Sequence, residues 1–185
     1  DCTPRRRRIS QVPGPLRSSR YSSGTSFMLL TTTSPPPSLS KSANAAPRAE
    51  KISWSDGGKT FDGYLVWDDA SKAPRPGLVM VPNWYGVNDH AVAKAKTLAG
   101  KDYVILLADV YGRGLRPANP DEAGKASGAV YADPAAMRSR IRAALATLRG
   151  AAKLAPLDTR RIGAIGFCFG GAVALDLARS GADLA

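Results

Sequence analysis

Histidine is almost missing from this chain: its 185 residues contain His90 and no other. That scarcity excludes an imidazole base anywhere in residues 91–185. Cysteine is nearly as rare. Cys2 lies in a polar arm and Cys168 in a glycine-rich turn, settings too different for the disulfide framework of a small secreted domain. Long apolar runs are lacking too. None approaches the roughly 18–20 residues of a membrane-spanning helix, so no bilayer crossing is predicted. What is present is an ordinary globular composition, 44% hydrophobic, in a chain long enough for one domain with a sizeable core and short for two.

The net charge of +11 is unevenly spread. Residues 1–46 carry Arg5, Arg6, Arg7, Arg8, Arg17, Arg20 and Lys41 against Asp1 alone, leaving 19 basic and 14 acidic side chains for the rest. This arm is rich in Ser, Thr, Pro and Arg and has little apolar periodicity, so it reads as a disordered basic arm, with residues 47–185 as the folded domain. The run Arg5–Arg8 has the charge to meet a nucleic acid or an anionic membrane. Without aromatic interleaving or a basic module it reads instead as a solvated tail, and neither partner is expected. Ala43-Asn44-Ala45 has the small-residue form of a signal-peptidase site, but the apolar core before it is only Phe27-Met28-Leu29-Leu30. The compartment is left open between cytoplasm and export. The initial Asp suggests an incomplete or misread N-terminus.

Order begins near Glu50. Lys51–Ser55 and Thr60–Trp67 flank Asp56-Gly57-Gly58, a hairpin pattern. Pro76-Gly77 introduces the continuous apolar run Leu78–Val81, suited to a strand covered on both faces, and Tyr103–Ala108 is a second such strand. Between them Ala91, Ala95 and Leu98 share a helical face ending at Gly100. Residues 120–130 and 134–151 are predicted helices. The second places Met137, Ile141, Ala144, Leu145 and Leu148 on an apolar stripe, with Arg138, Arg140, Arg142 and Arg149 on a solvated face. Ile162–Phe167 is predicted as the last strand. A hairpin followed by alternating strands and helices argues for an α/β fold with a mostly parallel sheet and flanking helices.

The last strand leads into Gly166-Phe167-Cys168-Phe169-Gly170-Gly171 and then a helical Ala172–Ala178. Strand, sharp turn and helix are the context of a nucleophile held in strained backbone, where the flanking glycines remove side chains that would clash. Cys168 then projects at the turn, at the positive end of the following helix. A buried structural cysteine is the plain alternative for a lone Cys in a strand, and the glycine pattern argues against it.

Two separated segments now converge. Val81-Pro82-Asn83-Trp84-Tyr85-Gly86-Val87-Asn88-Asp89 and the Gly166–Gly171 turn resemble the oxyanion loop and nucleophile elbow of the dienelactone hydrolase family, and Ala108-Asp109-Val110-Tyr111-Gly112-Arg113 resembles its segment after the following strand. The resemblance covers roughly residues 50–185 and implies an α/β-hydrolase-type fold. It implies Cys168 as the nucleophile toward a small ester or lactone, the backbone N–H groups of Trp84 and Phe169 as the oxyanion hole, and Asn83, Tyr85 and Arg113 around the substrate. Arg113 stands where the family places an arginine that can hold a substrate carboxylate; a solvated loop arginine is the other reading. No metal or organic cofactor is implied, and nothing bears on oligomeric state. One departure matters: Asn83 occupies the position of a family Glu that engages the resting cysteine, and an amide takes no proton from a thiol.

The complete protein is expected to work through a Cys-Asp-His triad and a thioester acyl-enzyme. His90 does not fit that triad, because in this fold the histidine follows the nucleophile and His90 precedes it. Asp176, Asp183 and Asp109 also lie outside the position of the triad acid. Only 17 residues follow Cys168. The chain therefore reads as truncated at its C-terminus before the acid and the histidine, with little or no turnover expected of it. A non-catalytic α/β scaffold or interaction protein that retains the elbow is the alternative.

Overall fold

The computed structural model describes residues 47–70, 72–100 and 102–185. The basic arm, Cys2 and the Ala43-Asn44-Ala45 site lie outside the described residues. Five strands form one sheet: β1 (Arg48–Asp56), β2 (Lys59–Trp67), β3 (Arg75–Val81), β4 (Val104–Leu107) and β5 (Leu157–Gly166). Four α-helices are described: α1 (Asp89–Ala99), α2 (Pro120–Tyr131), α3 (Pro134–Gly150) and α4 (Phe169–Arg179). The strand order is β1-β2-β4-β3-β5. β3 runs parallel to both β4 and β5, while the β1–β2 hairpin joins β4 antiparallel through β2. The sheet is thus mixed, with its parallel part at β4-β3-β5. Gly57 and Gly58 make the hairpin turn at φ 53° and 73°, the positive values a tight two-residue connection needs.

The apolar runs occupy strands buried on both faces, as their lack of polar alternation requires. Val79, Val81, Val104, Leu106 and Ile162 share one core with α2, α3 and α4. Met80, Ile105 and Leu107 share the opposite core with Ala91, Ala95 and Ala99 of α1. Successive residues of one run therefore feed two cores, a direct result of the two-residue strand period. The apolar stripe of α3 is buried as its spacing predicts, with Ile141 and Leu148 fully enclosed.

Two sequence expectations change. The arginines of α3 are not a freely solvated face. Arg138 donates twice to Asp176 of α4, at 3.0 and 2.7 Å, Arg142 donates to Ser180 and Arg149 to Asp183. Arg140 donates to the Val110 carbonyl at 3.0 Å and lies over the Phe61 ring. Their forked donors and long stems tie α3 to its neighbours. β5 also starts earlier than predicted, at Leu157. Its register against β3 jumps from Pro76↔Asp158 to Gly77↔Ile162. The residues looped out include Arg160 and Arg161, which bond to Asp158 and hide the strand behind a polar stretch.

Candidate active site

Parallel β3, β4 and β5 deliver their C-terminal ends to one edge of the sheet. There the segments after Val81, Leu107 and Gly166 lie side by side. Ala108 donates to the Met80 carbonyl at 2.8 Å and Phe167 to the Val81 carbonyl at 3.3 Å.

Cys168 sits at this edge with φ 54° and ψ −118°, the one described non-glycine residue with positive φ. Its thiol is exposed. The turn is possible only because the flanking backbones touch. A Cβ on Gly166 would lie 2.0 Å from the Gly170 carbonyl oxygen, and one on Gly170 would lie 2.2 Å from that of Pro82. No side chain fits at either place. The strain at Cys168, of order 1–3 kcal/mol for such backbone, is held by this contact between the turn and the end of β3.

The helix that follows differs from the others. Asn88 caps α1, Asn119 caps α2 and Asp133 caps α3, each accepting from a backbone N–H of the first turn. At α4 the capping position is Cys168, which makes no side-chain cap bond. The Phe169 N–H, first of that helix, has no hydrogen-bond partner among the described residues. Neither has the Trp84 N–H, in the loop after β3. That loop is a closed turn: Gly86 donates to the Asn83 carbonyl at 2.9 Å, and the Tyr85 N–H donates to Asn83 Oδ1 at 3.1 Å. Asn83 thus turns its amide oxygen into its own loop. Tyr85 is half-buried, its ring edge-on to that of Trp84.

Arg113 lies elsewhere. Its Nε and Nη2 both meet the Asp62 carboxylate at 2.8 Å, and Nη2 also reaches Ser53 Oγ. The Arg113 guanidinium holds the Asp62 carboxyl down at about 2, with Ser53 helping. The pair lines a cavity of about 580 Å³ with Lys51, Tyr64, Asn88 and Arg116, and neither Cys168 nor Trp84 borders it. The two-pronged donor is therefore filled by a carboxylate of the chain itself. His90 is exposed on the first turn of α1 and shares a small cavity with Asn83, Lys94 and Phe167.

Tyr111 is the residue that sequence reasoning passed over. It is buried, its hydroxyl donates to the Trp84 carbonyl at 2.8 Å, and its ring stacks on Phe169 with centroids 5.5 Å apart. Asp109, fully buried, holds the Tyr111 N–H at 2.9 Å and the Gly112 N–H at 3.2 Å, and takes an ion pair from Arg116. In the sequence Tyr111 stands within the family-like Ala108–Arg113 segment, with nothing local to mark its contacts.

A strained, exposed thiol at a strand-to-helix elbow, on the C-terminal edge of a partly parallel sheet where the Trp84 and Phe169 N–H groups have no partners among the described residues, is the local geometry of an α/β protein of hydrolase type. The chain belongs to the dienelactone hydrolase family, whose model matches residues 61–185. Among solved structures it is similar to a protein named m3DLH, at 41% identity with a TM-score of 0.68, covering 75% of this chain and 57% of that one. It is similar to the dienelactone hydrolase-like promiscuous phosphotriesterase P91 from metagenomic libraries, at 37% identity and TM-score 0.68, covering 75% and 56%. The fold alone is shared with the esterase Est22, at 15% identity and TM-score 0.54, covering 76% and 42%. The chain thus spans little more than half the length of these first two structures. No curated protein matches it.

Proposed function

We propose that this chain carries the nucleophile and oxyanion hole of an enzyme that cleaves small carboxylic esters or lactones. The observation that carries the reading is the strained, exposed Cys168 at the elbow, with N–H groups left without partners on Phe169, the next residue, and on Trp84, which Tyr111 links to Phe169. The Cys168 thiolate adds to the substrate carbonyl carbon and the C=O electron pair moves onto oxygen. The two N–H groups hold that oxyanion; removing one such donor typically costs about 2.7–4 kcal/mol of transition-state stabilisation. Collapse of the intermediate expels the alkoxide, which takes a proton from solvent, and leaves a thioester on Cys168. Water then releases the acid and regenerates the thiol. The acid and histidine of the Cys-Asp-His triad implied by the family resemblance correspond to no residue of this chain. The name of P91 adds phosphotriesters as a second substrate class, since the same hole serves an oxyanion formed at phosphorus.

Within these 185 residues no imidazole follows Cys168, so acylation is expected to outrun deacylation. With Cys2 replaced by Ser, the chain mixed with p-nitrophenyl acetate at alkaline pH should release about one equivalent of p-nitrophenolate and gain one acetyl group on the peptide bearing Cys168. Cys168→Ala should release none as a burst. An undiminished burst from that variant would refute the assignment.

A further inference from the structure

We propose that Tyr111 and Asn83 are positioning residues that hold the Trp84 and Phe169 N–H groups at a common site. This rests on the reading of those two groups as the oxyanion hole. The donors come from segments 85 residues apart in sequence, one after β3 and one opening α4, and two donors serve one oxygen only if their separation is fixed. Tyr111, from the segment after β4, touches both: its hydroxyl grips the Trp84 carbonyl and its ring stacks on Phe169.

The peptide joining Trp84 to Tyr85 is pinned at both ends. Its carbonyl accepts from Tyr111 and its N–H donates to Asn83 Oδ1. The Trp84 N–H lies in the preceding peptide, whose Asn83 carbonyl accepts from the Gly86 N–H at 2.9 Å; with both neighbouring peptides engaged, the loop holds that N–H in one direction. Burial, reinforced by Tyr131, Asp109 and Cys168, pushes the Tyr111 phenol upward and keeps its hydroxyl a donor. Asp109 and Arg116 fix the backbone from which Tyr111 projects. Tyr131 packs edge-on against the ring of Phe169, which is thus gripped by two aromatic neighbours. The position of the family Glu is therefore used here for geometry: Asn83 serves the loop by accepting from its backbone.

The test compares two reactions of the same thiol. Acylation by p-nitrophenyl acetate passes through an oxyanion; alkylation by iodoacetamide, in which sulfur displaces iodide, does not. Each rate is measured at Cys168 in a Cys2→Ser background, with circular dichroism to establish folding. Tyr111→Phe keeps the ring and removes the hydroxyl. It should slow acylation about tenfold or more, within the loss that follows removal of a whole donor, and leave alkylation within about twofold. Asn83→Ala frees the same peptide from its other side and should show the same selective loss; it also decides the question if Tyr111→Phe does not fold. Equal changes in both rates, or no change in either, would overturn the positioning role while leaving the nucleophile assignment intact. If the unmodified protein is alkylated but never acylated, the oxyanion-hole reading fails and this inference falls with it.

Discussion

At the residue scale, the elbow is governed by excluded volume. Gly170 lies so close to β3 that a methyl group would overlap the Val81 and Pro82 carbonyls, at 2.3 and 2.2 Å. Backbone on both sides leaves no flexible neighbour to give way. Gly170→Ala is therefore expected to destabilise the protein by about 3 kcal/mol or more, read from the urea midpoint. A loss below 1 kcal/mol would mean that the turn can separate from β3. Cys168→Gly should act in the opposite direction. It relieves the positive-φ strain, offset in part by the entropy of glycine, for a net gain of about 1 kcal/mol alongside loss of the thiol. An elbow of this kind is legible in sequence because its sterics are local. Six consecutive residues contain both the strained position and the glycines that permit it.

At the scale of elements, ion pairs join pieces that sequence order separates. Asp62 of β2 holds Arg113 after β4 and Ser53 of β1, while Arg138 of α3 holds Asp176 of α4. The Asp62 carboxyl is lowered from 3.8 to about 2, chiefly by its bond to Arg113. Because the folded value lies below the unfolded one, the stabilisation is complete above pH 3.8 and is lost as pH falls through about 2. Asp62→Asn should thus differ from the parent by a constant margin at neutral pH, small for a pair this exposed, and by a shrinking one from pH 4 to 2. Urea midpoints across that range measure it; a margin that widened toward acid would contradict the pairing. Such contacts were illegible in the sequence. Arg113 and the α3 arginines have the composition of a wet surface, and nothing local marks the carboxylate or carbonyl that each finds.

At the scale of the whole molecule, the candidate site rests on the main core: Tyr111 and Phe169 share one apolar cluster with Leu148, and Trp84 packs against it. Leu148 is fully buried among α3, β3 and β5, whereas the elbow itself is held by backbone contacts at the strand ends. Leu148→Ala should lower stability by about 2–5 kcal/mol yet leave the rate of Cys168 acylation per folded molecule within about twofold. A parallel collapse of reactivity would show that the elbow depends on the packing at Leu148 as well. No described helix is long and apolar enough to cross a membrane.

The elements, the hairpin turn and the nucleophile-like elbow follow from sequence alone, because a period of two, a helical period and the steric demands of glycine act over a few neighbouring residues. The triple convergence of Trp84, Tyr111 and Phe169 does not. It depends on β4, β3 and β5 lying parallel in that spatial order, so that their C-terminal ends open at one edge. Strand order is settled by packing two apolar faces at once, a property of the folded sheet. Tertiary structure therefore decided how the loop after β3, a buried tyrosine and the strained elbow from three separate segments come to lie together.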